Sequence, residues 1–505
     1  MSHHFNGSLS DNSLPNKKDI DLDVLIIGGG ISGLSTAWWL AQSGLNVQVW
    51  EKSGHAGGKI KTDINDGFKT EQAASMIMNF KPEVDQFFTH SGLEALKAKR
   101  LLKAENNRYL ISNGKLQALP MTIARLFFSS LWSTRGKCRL LMEPFIGQAK
   151  KDNETVSEFI TRRFGQEFLE KAMEPFIAGT LASDPDLASA LHVIPRLTAL
   201  EKKFGSITAG IVAHRVTGKR TARNPESFSF DGGMETLPQY LAADPRLGFQ
   251  KNIKVTGIIQ HNGHQHWEVQ AEGPDGDIFC RARHVVIASP ADIASDLLKT
   301  VNQNLSQLLM TIEYAPLSVV HIGLNRAAIK HPLDSAGFLV PRREKNNGRM
   351  TINGNLWMSS IFSKRAPEDC ILLSSYIGGA RDPAAVNLST SESINAVLSD
   401  ISPLLGIHAD PLMARVDRHQ KALPLYHGDY QKKLIAINQE LQALPGLHIE
   451  ANYIGGVSIR DRIVSSKKTA AEIVNHISSL NENNHKTSGK TFKSDFSHLF
   501  IETPA

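Results

Sequence analysis

Cysteine is scarce: Cys138, Cys280 and Cys370 are the only three in 505 residues. None sits in a CxxC spacing, which excludes a disulfide framework and a Cys-ligated zinc site and favours a reducing compartment. Long apolar runs are also missing. The best candidate, around Leu126-Phe127-Phe128, is cut by Ser, Thr and Arg within a few residues, so no segment reaches the ~18 uninterrupted apolar residues of a membrane-crossing helix. Residues 1–18 (MSHHFNGSLSDNSLPNKK) lack the apolar core of a secretory signal and read as a loose tail. The Asn-, Lys- and Ser-rich stretch from about residue 479 reads the same way. No internal repeat and no GxSxG nucleophile motif occurs. Net charge is small, with 56 Lys and Arg against 50 Asp and Glu, so its placement matters more than its total.

What is present begins at Asp23-Val24-Leu25-Ile26-Ile27, a short apolar run with the pattern of a strand buried on both faces. Gly28-Gly29-Gly30-Ile31-Ser32-Gly33 follows at once, Leu34 to Ser43 reads as a helix, and a second strand, Asn46 to Trp50, delivers Glu51. Strand, glycine spacing, helix and acid together make a βαβ dinucleotide fingerprint. Gly28 makes the turn, Gly30 lets the backbone approach a pyrophosphate, and Gly33 allows close helix packing. Glu51 accepts the ribose hydroxyls. A second pair, Gly57-Gly58, followed by Lys59, favours FAD over NAD, because it reaches toward a longer cofactor; no second GxGxxG marks a separate nicotinamide site.

Toward the other end, Leu447 to Glu450 is strand-like, Ala451 to Val457 is a glycine-containing loop, and Asp461 to His476 has helical spacing. A helix N-terminus after such a loop suits the anionic edge of a reduced flavin. Asn252 to Ile259 and Val285 to Ala288 are strand candidates for the same sheet. His261-Asn262-Gly263-His264-Gln265-His266 reads as a hairpin turn rather than a metal site, so no metal is expected.

These residues and others in the middle resemble the oxygen-dependent protoporphyrinogen oxidase family of FAD enzymes, related to amine oxidases and phytoene desaturases. The resemblance runs from about Val24 to Ile473. Its more specific pieces are Asn107-Arg108-Tyr109-Leu110 with Gly114-Lys115-Leu116, Glu154-Thr155-Val156-Ser157-Glu158-Phe159, Glu174-Pro175-Phe176-Ile177-Ala178-Gly179, Phe230-Asp231-Gly232-Gly233-Met234, and Arg365-Ala366-Pro367 with Gly378-Gly379-Ala380-Arg381. It implies a mixed α/β (α+β) fold: a Rossmann-type FAD-binding domain from residues 19–90, 225–300 and 440–478, a helical membrane-binding and cap domain over 91–224, and an antiparallel-sheet substrate domain over 301–439.

Non-covalent FAD is expected against Gly28, Gly30, Ser32, Gly33, Glu51, Lys52, Gly57, Gly58, Lys59, Val255 and Val457. A tetrapyrrole is expected against Arg108, Gly179, Leu339, Leu356 and Tyr376, with Arg108 pairing a propionate through its planar guanidinium. The implied reaction is oxidation of protoporphyrinogen to protoporphyrin in haem synthesis. Six electrons leave in three flavin cycles, with molecular oxygen as acceptor and hydrogen peroxide as product. No dedicated catalytic acid or base is needed, since the cofactor carries the chemistry. Coproporphyrinogen oxidation, a paralogous desaturase or amine oxidase, and a catalytically silent flavin-binding protein remain alternatives.

The family usually carries a Gly-Pro-containing loop where this chain has Ala73-Ala74-Ser75-Met76, and more often Phe at the position of Tyr376. His55 stands where many relatives carry Arg, and Ala451 where Gly is usual. Residues 91–150 hold eleven Lys or Arg against three Asp or Glu, a local +8. Within them Leu119 to Phe145 interleaves apolar residues, including Phe127, Phe128 and Trp132, with Arg125, Arg135, Lys137 and Arg139. Without the resemblance this reads as a soluble helix whose apolar face is plain core and whose charges form a solvated face; with the resemblance it reads as contact with an anionic membrane surface. The resemblance also implies a homodimer at the inner face of the cell membrane, on the cytoplasmic side; nucleic acid is not expected, because the aromatic residues sit among aliphatic ones rather than on a strand platform.

Overall fold

The computed structural model describes residues 20–488 apart from 106, 120–128, 130, 149–152, 217–225, 261–265, 347 and 349. The glycine-bounded apolar run forms β1 (Ile20–Ile27), the helix α1 spans Ile31–Ala41, and β2 spans Val47–Glu51. α1 starts three residues earlier than its apolar spacing suggests, which puts Gly33 inside its first turn. β1 lies at the centre of a seven-stranded sheet, parallel to β2 on one side and to Gly276–Ile287 on the other. The expected strand at 252–259 is Lys254–Gln260, antiparallel to Trp267–Gly273 with Gln260 opposite Trp267, as a hairpin requires; its tip, His261 to Gln265, lies outside the described residues.

Leu447–Ile449 adds to the same sheet beside Val285–Ile287, so the nucleotide-binding layer is assembled from chain segments some 400 positions apart. The helix Ile459–Ser488 covers it next to α1. Trp39 Nε1 donates to the Ile463 carbonyl at 3.3 Å, and the Ser35 and Ser466 hydroxyls meet at 3.0 Å. Small hydroxyls at the crossing let the two helices approach closely. Trp38, Trp39, Phe87, Phe88, Phe228 and Phe230 fill the space beneath, mostly edge to face, as their ring quadrupoles prefer.

A second seven-stranded sheet runs Met413–Pro424, Tyr314–Asn325, Cys370–Gly378, Gly354–Trp357, Ser335–Leu339, Asn107–Ser112, Lys115–Ala118. The last two strands fall within residues 91–224, which the sequence reading assigned to the helical segment, so that boundary needs correcting. Tyr109 and Ile111 alternate with Arg108 and Leu110 and bury their side chains in the core of this sheet.

The remaining part of 91–224 is helical. Glu154-Thr155-Val156-Ser157-Glu158 begins the helix Val156–Phe164 with a capping box: Thr155 Oγ1 accepts from Glu158 N at 3.1 Å, and the Glu158 carboxylate accepts from Thr155 N at 2.8 Å. Trp132 is buried and stacks on Phe168 with centroids 5.6 Å apart, so it belongs to the core and not to an outward amphipathic face. Arg139 also turns inward, donating to the Arg163 carbonyl at 3.1 Å. Arg125, Phe127 and Phe128 lie outside the described residues.

Candidate active site

The turn after β1 is shaped by what its glycines leave out. Gly28 has φ +115°, and a Cβ there would lie 2.8 Å from the Ala288 carbonyl oxygen. At Gly33 a Cβ would sit 2.0 Å from the Gly28 oxygen, so α1 packs against the turn only without a side chain. Gly30 differs: a Cβ there would meet nothing within 4 Å. The first turn of α1, with its unpaired N–H groups and positive dipole end, borders that open space, which fits a pyrophosphate.

Glu51 is buried at the end of β2, and its carboxylate accepts from Gly29 N at 2.7 Å and from Ser53 N at 2.8 Å. Two backbone donors hold the acid in place while lone pairs remain for a ribose diol. Gly57 bridges to Gly30 and donates to the Gly29 carbonyl at 2.8 Å; Gly58 lies just beyond. The residues expected to line the cofactor thus converge at Gly28, Gly30, Ser32, Gly33, Glu51, Gly57 and Gly58. Val255 and Val457 are half-buried in neighbouring segments, and Lys52 is exposed. Lys59 is committed elsewhere: its ammonium donates to the Lys421 carbonyl and, at 2.8 Å, to the Ala422 carbonyl on the edge strand of the second sheet. Burial pushes its pKa down to about 8.

Behind the loop that ends in Gly455-Gly456, both with positive φ, the buried Arg462 bonds Glu450 at 3.0 Å, and Ser465 and Thr469 donate to the same carboxylate at 2.9 Å each. The helix that begins at Ile459 is therefore anchored to the loop it caps. Ala451 is buried there, its carbonyl taken by Ile454 N at 2.9 Å.

The second sheet supplies the other wall. Leu339 pairs with Gly354, and Gly354 with Tyr376, so these three positions form one row across three strands. Leu356 lies two residues beyond Gly354 on the same face, and Leu110 pairs with Leu339, placing Arg108 on that face as well. Gly179, in the helix Glu174–Leu181, faces the row: a Cβ there would be 2.4 Å from Leu339 Cδ2. Arg108, Leu339, Leu356 and Tyr376 thus share one face of the sheet, and Gly179 lies against Leu339. The sequence motif alone did not reveal why residue 179 is glycine; the close approach of Leu339 explains it.

Two polar contacts tie this wall to the loop after the strand Phe68–Glu71, which pairs with Thr62–Asn65. Ser75 Oγ lies 3.3 Å from Tyr376 Oη, and His419 Nε2 donates to the Gln72 carbonyl at 2.7 Å. Beneath them, buried Glu71 accepts from Arg365 Nη1 at 2.5 Å, from Thr62 Oγ1 at 2.7 Å and from Met234 N at 3.0 Å. Arg365 belongs to a quoted motif, yet its role as partner of Glu71 was not legible, because 294 positions separate them. Arg100, beside Arg108, was also missed; it carries no motif. Among the described residues no His, Cys, Asp and Glu group suits a metal ion.

Residues 31–474 match the family described as flavin containing amine oxidoreductase. The chain is 32% identical over 488 residues to a protein of Arabidopsis thaliana named protoporphyrinogen oxidase 2, chloroplastic/mitochondrial, covering 90% of this chain and 94% of that one. It is 27% identical to a coproporphyrinogen III oxidase of Bacillus subtilis, covering 90% and 98%. Among solved structures, one from Exiguobacterium sp. 255-15, assigned as a protoporphyrinogen oxidase, superposes with a TM-score of 0.73 at 20% identity, covering 91% and 99%.

Proposed function

This chain belongs to the flavin containing amine oxidoreductase family, and on that premise we propose that it oxidises a porphyrinogen, protoporphyrinogen first and coproporphyrinogen as the nearest rival. It is an FAD-dependent oxidoreductase. Bound FAD supplies the two-electron acceptor; the protein's own residues bind, orient and desolvate.

The observation that carries the substrate reading is the single face shared by Arg108, Leu339, Leu356 and Tyr376, with Gly179 opposed. Leucines on this sheet face give an apolar bed for pyrrole rings, and Gly179, without a side chain, lies against Leu339 at its margin. Arg108 is exposed at the edge of that bed, where a propionate remains partly in water while its ring lies inside. The three oxidation steps need the same surface, since each removes electrons from the same macrocycle. Coproporphyrinogen enters as rival because the Bacillus subtilis relative bears that name. Anaerobic bleaching of the flavin band tests the reading: protoporphyrinogen is expected to bleach it, faster bleaching by coproporphyrinogen moves the rival ahead, and no bleaching by either overturns both.

The reading extends to an anionic membrane surface at the cytoplasmic side. Exposed Leu141, at the end of the short helix Thr134–Leu141 that carries Arg135, and Met142 and Phe145 just beyond it support insertion of apolar side chains beneath cationic ones. No described helix is long and apolar enough to cross a bilayer. Molecular oxygen as acceptor and a homodimer complete the reading on the resemblance, with oxygen consumption and analytical sedimentation as their tests.

A further inference from the structure

Arg100 occupies a short stretch between the strand Lys97–Lys99 and the turn Leu102–Glu105. That stretch is fixed to the second sheet's surroundings. Leu101 N donates to the Ile361 carbonyl at 2.9 Å, Ala104 N to the Leu101 carbonyl at 3.1 Å, and Ala104 is buried in the cluster against which Leu356 packs. The guanidinium is only partly used: Nη2 donates to the Ala104 carbonyl at 2.5 Å, while Nε is buried with no hydrogen-bond partner. Among the described residues neither Arg100 nor Arg108 forms an ion pair. Burial, and next the positive charge of Arg108, hold Arg100 below the ordinary guanidinium range, with Glu105 opposing. Arg100 and Arg108 flank the turn Leu102–Glu105, the first with a buried unmet donor and the second exposed, and an anion between them would satisfy both.

Resting on the porphyrinogen reading, we propose that Arg100 is a second carboxylate-binding residue, which with Arg108 grips two carboxylate groups of one substrate at the edge of the apolar face. Arg108 meets one carboxylate from the face itself, and Arg100 meets another from the adjoining turn. A substrate with at least two acidic side arms is then selected over one with a single arm, and the macrocycle is held in one rotation about its own axis. Neutral amine or hydrocarbon substrates would gain nothing from this arrangement.

The test is steady-state oxidation of a dicarboxylate porphyrinogen and of its dimethyl ester by wild type, Arg100→Gln and Arg108→Ala, each with its FAD content recorded. For Arg100→Gln the expected result is a rise of about tenfold in KM for the free acid, equivalent to ~1.4 kcal/mol. kcat and FAD content should change little, and KM for the ester should stay at the wild-type value. Arg100→Lys keeps the charge without the planar fork and is expected to fall between the two. The inference is overturned if Arg100→Gln leaves the free-acid KM unchanged, or if acid and ester respond equally. Where Arg100→Gln fails to hold FAD, the Lys variant decides by the same comparison of acid with ester. Wild type that oxidises porphyrinogens while Arg100 proves indifferent removes this inference alone; wild type that oxidises none removes the porphyrinogen reading with it.

Discussion

Ser75 Oγ stands 3.3 Å from Tyr376 Oη, joining the loop after the strand Phe68–Glu71 to the middle of the second seven-stranded sheet. Tyr376→Phe and Ser75→Ala are each expected to lower stability by about 0.5–1.5 kcal/mol. The double variant should cost less than the two combined. A double-mutant cycle by urea unfolding checks this, and strict additivity would show that the two hydroxyls do not act as a pair.

Gly30 and Gly33 separate the fold from the cofactor. A Cβ at Gly30 meets open space, whereas at Gly33 it would collide with the Gly28 carbonyl. Gly30→Val is therefore expected to yield folded protein without flavin, and Gly33→Val protein that neither folds stably nor holds flavin. Circular dichroism with the flavin absorbance at purification distinguishes the two outcomes.

Glu71 and Arg365 form a buried ion pair between the strand Phe68–Glu71 and the strand Glu226–Phe230, whose Ser229 hydroxyl also accepts from Arg365. Removing either charge alone leaves the other uncompensated, so Glu71→Gln or Arg365→Met should destabilise by ~3–5 kcal/mol. The combined variant should be less damaged than the single ones together. Chemical denaturation of the FAD-bound protein measures this.

A chain of three histidines sets a pH dependence. His448 Nε2 and His284 Nδ1 are 2.9 Å apart, and His284 Nε2 and His476 Nδ1 are 3.1 Å apart, linking two strands of the nucleotide sheet to the long C-terminal helix. Burial first, and then the neighbouring rings, push His284 down to about 3 and His448 down to about 4 from an ordinary 6.5. The folded state thus keeps these rings neutral where the unfolded chain takes up protons. Their contribution to stability is fully present above pH 6.5 and is lost as pH falls toward 4 and then 3. His284→Gln should flatten the fall in urea midpoint between pH 6.5 and 4.

The basic segment gives a partition test. Sedimentation with anionic vesicles, reversed by salt because the attraction is screened over ~8 Å at physiological ionic strength, is expected. Equal binding to neutral vesicles would assign the association to Leu141, Met142 and Phe145 alone.

Much of the cofactor half was legible because it is local. Gly28, Gly30, Gly33 and Glu51 lie within one βαβ unit, where spacing along the chain fixes spacing in space. The substrate half was reached through motifs rather than periodicity. That Arg108 shares a face with Leu339, Leu356 and Tyr376 depends on Leu110 pairing with Leu339, a strand more than two hundred positions away, and a slip of one residue in any of these pairings would have reversed a side chain. Residues 107–118 were assigned to the helical part because their strand pairs with Ser335–Leu339, a partner invisible locally. Trp132 was misplaced for a related reason: aromatic residues among basic ones look amphipathic until the neighbour that covers them, here Phe168, is known.

The nucleotide sheet closes only when Leu447–Ile449 joins Val285–Ile287. On the ribosome, Glu51 emerges long before the segment that completes its layer. At ~5–20 residues per second the interval is about 20–80 s. During that time the nascent chain carries Glu51 on an unfinished sheet, with Val286 and Ile287 awaiting a neighbour on one side. Stable flavin uptake is therefore a late event of biosynthesis, and chains that stall before residue 447 will be colourless and exposed to proteolysis.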